Sequence, residues 1–159
     1  MNLSDKIPGC KYFTWKEALW LPQEGRAVSD SEITPEIKNN LIRSFQWMDK
    51  VREWIGKPII VTIALRTMAY HLDLYKRINA ERAKKGQPEL RVPMGSGHLK
   101  GRAVDFVVKG MSCDDFKEKI LSEGKLDEWN LRMENNGKGA NWIHLDDMQV
   151  GASGRFFNP

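Results

Sequence analysis

Apolar residues at Ile37, Leu41, Phe45, Met48, Val51 and Ile55 recur at steps of three and four, the spacing that keeps one helical stripe facing a core. Thr34-Pro35-Glu36 supplies an N-cap, a proline at the first helical position and an acid in the first turn. Gly56, with Pro58 just beyond, stops the helix. A long amphipathic helix over residues 35–55 follows. Ahead of it, Thr14-Trp15-Lys16-Glu17 has the form of a capping box and predicts a short helix through Trp20. Residues 21–33 are polar and turn-rich and read as a surface loop.

The run Ile59-Ile60-Val61-Thr62-Ile63-Ala64-Leu65 is short, continuous and β-branched, which predicts a buried strand. A second helix is expected over 70–85, ending at Gly86, then a loop at 87–97 and a strand over 102–108. Ser112 caps a third helix over 113–122, closed by Gly124. Segments 128–134 and 141–149 flank Asn135-Asn136-Gly137-Lys138-Gly139, the composition of a hairpin tip. Helices first and then mainly strands predict a single α+β domain over 1–159, with an antiparallel sheet and helices packed on one side.

Composition narrows the class. A chain of 159 residues suits one domain with a proper core, and 41% apolar with 29% charged residues is ordinary for a globular protein. The longest apolar run is far short of a membrane span, so stable membrane insertion is not expected. The stretch Met1-Asn2-Leu3-Ser4-Asp5-Lys6 has no apolar signal core, so no signal peptide is expected. Cys10 and Cys113 make no disulfide framework and read as buried or incidental thiols. A net charge of +4 favours an acidic polymer, but the basic residues are dispersed among acids. Without a basic face interleaved with aromatics, nucleic acid is not an expected partner.

Two segments carry candidate chemistry: Ser96-Gly97-His98-Leu99-Lys100-Gly101-Arg102-Ala103-Val104-Asp105-Phe106 and Trp142-Ile143-His144-Leu145-Asp146. Two of the three histidines fall here. Strand alternation sets Ala103, Asp105 and Val107 on one face, and Trp142, His144 and Asp146 on one face, with Ile143 and Leu145 toward the core. Gly95, Gly97 and Gly101 let the backbone fold His98 over Asp105. If the two strands are neighbours, His98, Asp105 and His144 converge on one cation. Two imidazoles and a carboxylate favour Zn²⁺ over Mg²⁺ or Ca²⁺ and leave a fourth position for water. The bland alternative is a hydrogen-bonded structural histidine and a turn-capping aspartate.

Ser96, His98, Gly101, Ala103 and Asp105, followed by Trp142-Ile143-His144-Leu145-Asp146, resemble the zinc D-Ala-D-Ala carboxypeptidase and endopeptidase family, which includes many phage endolysins. The likeness extends to the entry segment from Phe13 to Leu19, the long helix, and a strand ending at Arg66 before Tyr70. The resemblance implies that His98, Asp105 and His144 are zinc ligands and that Arg66 binds the substrate or polarises its carbonyl. It implies a peptidoglycan stem peptide as substrate, with a monomeric enzyme expected. It also implies a place in the host cytoplasm before release to the cell wall, or on the virion.

One position departs from that pattern. Several family members carry a Glu three residues before the second His, where this chain has Asn141. A carboxamide does no acid–base work, so another residue supplies the base, or the chain is a non-catalytic zinc-containing cell-wall-binding domain. Glu134 is the first candidate: pairing across from Trp142 turns it onto the face of His144, and pairing with Asn141 turns it away. Asp146 is the second, as a base or as a partner orienting an imidazole. His71 falls on the second helix near Arg66 and reads as a surface or core-edge residue. Trp142 lines a substrate groove or simply packs, and Lys100 and Arg102 attract a substrate carboxylate or are solvated charges.

Overall fold

The computed structural model describes residues 1–158. In order, the elements are α1 (Trp15–Leu19), β1 (Trp20–Leu21), β2 (Arg26–Ala27), α2 (Pro35–Ile55), β3 (Ile59–Ile63), α3 (Met68–Lys84), β4 (Ala103–Val108), α4 (Cys113–Ser122), α5 (Lys125–Glu128), β5 (Arg132–Glu134), β6 (Ile143–Asp146) and β7 (Phe156–Phe157). Short 3₁₀ turns occupy Asp30–Glu32 and Gly97–Lys100. The α+β class is as the pattern predicts.

Local signals set most boundaries. Thr34 accepts the Ile37 N–H at 3.2 Å to start α2, and Gly56 ends it at φ +65°. Glu17 accepts the Thr14 N–H at 2.8 Å at the head of α1. Thr67 caps α3 through the Tyr70 N–H at 3.2 Å, so this helix begins two residues before the predicted start. Ser112 caps α4 through the Asp115 N–H at 3.0 Å.

The main sheet has the order β3-β4-β6-β5-β7. Its first three pairings are antiparallel; β7 lies parallel to β5, which makes the far edge mixed. One face of the sheet, with Val104, Phe106, Ile143, Leu145 and Met133, joins the core built with α1, α2 and α4. Phe106 meets Phe116 of α4 edge-on at 5.4 Å, and Phe116 meets Trp54 of α2 at 5.7 Å. Helix α3 stays out of this layer: of its side chains only Tyr70 and His71 are buried.

Three expectations change. The strand expected over 59–65 is an edge strand, not an enclosed one, and Ile60 is 52% exposed. The loop at 21–33 contains the β1–β2 ribbon, which pairs Trp20 with Ala27. Residues 128–134 are only partly strand, because Gly124 at φ +64° starts the helical turn α5 and Asn130 at φ +55° breaks the chain before β5. No described helix is long and apolar enough to cross a membrane.

Candidate metal centre

The second face of the sheet carries the candidate chemistry. Register pairs Asp105 with His144 and Ala103 with Asp146 across β4 and β6, so these residues share a face as strand alternation requires. His98 reaches the same place from the 3₁₀ turn ahead of β4. That turn is tied to α2 by Ser44 Oγ donating to Gly101 O and Asn40 Nδ2 to Lys100 O, both at 2.9 Å. Gly101 closes it at φ +67°, where a Cβ would stand 3.0 Å from both Ile37 O and Leu41 Cγ. Glycine is required there by both conformation and space.

Three donor atoms converge. His144 Nδ1 lies 2.7 Å from Asp105 Oδ1, and His98 Nε2 lies 3.2 Å from each of them. The three residues form a buried group able to hold a metal ion. Ligands at 2.0–2.1 Å around a tetrahedral ion are about 3.3 Å apart, close to this triangle. The atoms behind the triangle fit the same role. His98 Nδ1 donates to Ala64 O at 2.8 Å, which leaves Nε2 as the lone-pair donor. His144 Nε2 donates to Asp146 Oδ2 at 3.1 Å, which turns Nδ1 toward the triangle. The second oxygen of Asp105 accepts from Arg66 Nη2 at 3.1 Å.

Charge supports the assignment. Burial holds His98 below its ordinary pKa, so it is a neutral imidazole and a competent ligand. Burial also opposes charge on His144, but its bonds to Asp105 and Asp146 outweigh that and raise it to about 10. Burial pushes Asp105 up, yet its interactions with His98 and His144 more than reverse this and hold it ionised. Metal-free, His144 therefore keeps a proton at the position a bound cation would take.

No family model, curated protein or solved structure matches this chain.

The triad lies at a cleft of about 870 Å³, whose lining also includes Arg66, Glu134, Asn141 and Trp142. The β5–β6 register pairs Arg132 with Asp146 and Met133 with Leu145, and Glu134, the next residue along β5, lines the same cleft as His144. Alternation from Met133 turns Glu134 onto the His144 face, and the register differs from both pairings considered, with Trp142 and with Asn141. Its carboxyl is raised above the ordinary range by burial, against the pull of His144. Asp146 is 2% exposed and fully engaged: Arg132 grips it at 2.7 and 2.9 Å, and Met148 N–H donates to it at 2.9 Å. Those contacts fit the orienting role better than that of a base.

Other candidates separate clearly. Asn141 and Trp142 are exposed on the cleft lining. Arg102 is bound to Asp147 at 2.7 Å, and neither it nor Lys100 lines the cleft. His71 is fully buried, not at the surface, with its ring 5.0 Å from that of Tyr75. Sequence reading missed Phe157, which packs 6.1 Å from the His144 ring and beneath Arg132 at 4.3 Å. The adjacent aromatics Phe156 and Phe157 were its only signal. It also missed Arg132, whose role depends on cross-strand register that no local spacing reveals.

Proposed function

We propose that this chain is a zinc-dependent peptidase that hydrolyses an amide bond in peptidoglycan stem peptides. The observation that carries the reading is the donor triangle of His98 Nε2, Asp105 Oδ1 and His144 Nδ1 on a cleft that Glu134 also lines from the adjoining strand. Two imidazoles and one carboxylate match the three-ligand set of catalytic zinc. A zinc ion bound there supplies Lewis acidity and an activated water.

The chain's own groups supply the rest. Glu134 accepts the water proton and passes it to the leaving amine; its raised pKa brings it nearer the working range of a general base. Arg66, held by Asp105, presents its guanidinium to the substrate carbonyl or carboxylate. Asp146 keeps His144 in the ligating tautomer. The substrate class rests on the resemblance of the paired motifs to zinc D-Ala-D-Ala peptidases.

Asn141 favours a second reading, a zinc-containing wall-binding domain without turnover. Mass spectrometry of purified peptidoglycan separates the two. The peptidase releases new stem fragments when zinc-loaded and none when chelated. Intact peptidoglycan after incubation with folded, zinc-replete protein contradicts the peptidase reading and supports binding.

A further inference from the structure

Helix α3 borders the cleft with Tyr70, Leu74, Tyr75 and Ile78, positions that recur along one helical face. Tyr70 is 3% exposed and part of the core, whereas Tyr75 is half-buried at the cleft. The Tyr75 ring is seated on the fully buried His71, with centroids 5.0 Å apart and planes at 52°. Arg66, Asp105 and Glu134 line the same cleft as Tyr75, and among the described residues no hydrogen bond engages the Tyr75 hydroxyl. Tyr75 therefore shares one cleft with the candidate ligand Asp105, the base candidate Glu134 and the substrate arginine Arg66, with its hydroxyl free to bond.

We propose that Tyr75 is a further catalytic residue, its hydroxyl donating a hydrogen bond to the substrate carbonyl oxygen as that oxygen gains charge. The assignment rests on the peptidase reading above. Glu134 approaches from β5 and takes protons; Tyr75 approaches from α3 and gives a hydrogen bond. Burial raises the phenol above its ordinary pKa, so it keeps its proton through the neutral range and acts as a donor. A donor fixed in place by ring packing is preorganised, and its bond strengthens as the oxygen becomes negative. Its contribution therefore falls on the barrier more than on ground-state binding.

Tyr75→Phe removes the hydroxyl and keeps the ring on His71. With zinc-loaded protein and a stem peptide ending in D-Ala-D-Ala, kcat is expected to fall about 100-fold while KM moves less than about 3-fold. A phosphinate analogue of D-Ala-D-Ala, titrated calorimetrically, is expected to bind at least about 10-fold more weakly. Zinc affinity, measured by chelator competition, stays unchanged and reports an intact site. Equal kcat and equal phosphinate affinity in the variant overturn the role of Tyr75 and leave the peptidase reading standing. Absence of cleavage of both that peptide and whole peptidoglycan by the wild type overturns the reading itself, and the Tyr75 assignment falls with it.

Discussion

His144 donates through Nε2 to Asp146 Oδ2 at 3.1 Å, and that single bond decides which ring nitrogen faces Asp105 and His98. Arg132 holds Asp146 in turn with two bonds of 2.7 and 2.9 Å, so the imidazole is oriented by a chain of buried charge. Asp146→Asn keeps the shape and removes the charge. Metal affinity is expected to fall about 10–100-fold, as it does when such outer partners are lost. Competition with a chromogenic chelator measures it, and an unchanged affinity would remove Asp146 from the site.

Glu134 has a different signature. Glu134→Gln is expected to retain the metal with wild-type affinity while peptidoglycan turnover falls about 10²–10⁴-fold. Metal content and cleavage rate are read on the same preparation. Loss of metal together with activity would make Glu134 a structural residue and leave the base unassigned.

The proton held in the metal-free cluster makes stability depend on pH. His144 is raised from 6.5 to about 10, so its contribution is complete below 6.5 and is lost as pH rises through about 10. Asp105 is lowered, so its contribution is present above 3.8 and fades only as pH falls below that value. Melting temperatures of chelated protein are therefore expected to decline from pH 6.5 toward 10. Zinc-loaded protein, with the His144 proton displaced, lacks that component of the decline. Parallel curves for the two forms would contradict a shared proton and metal site.

Gly101 joins the fold to the site. Gly101→Ala forces a Cβ into left-handed backbone and to within 3.0 Å of Ile37 O. A loss of about 2 kcal/mol is expected from urea unfolding, with weaker metal binding because the turn carries His98. Full stability in this variant would mean that the turn relaxes freely.

Local chemistry made much of this legible in advance. The helix over Pro35–Ile55, its caps, and the face shared by Asp105 and His144 all follow from spacing and alternation. What depends on distant partners did not. The run beginning at Ile59 is as apolar as an enclosed strand, yet it forms an edge because no further strand pairs beyond it. Arg132, Phe157 and Tyr75 reach the site only through register or helix placement. Glu134 lay between: as a candidate it was legible, but its face depended on whether it paired with Trp142 or Asn141, a one-residue difference of register that local spacing does not fix.

Metal stoichiometry by equilibrium dialysis with Zn²⁺, comparing wild type with His98→Ala, Asp105→Ala and His144→Ala, tests the central claim most directly. One tightly bound zinc per wild-type chain, with affinity collapsing in each folded variant, is the predicted result. A wild type that binds no zinc, or variants that bind it as well as wild type, would contradict the metal centre and the peptidase reading built on it.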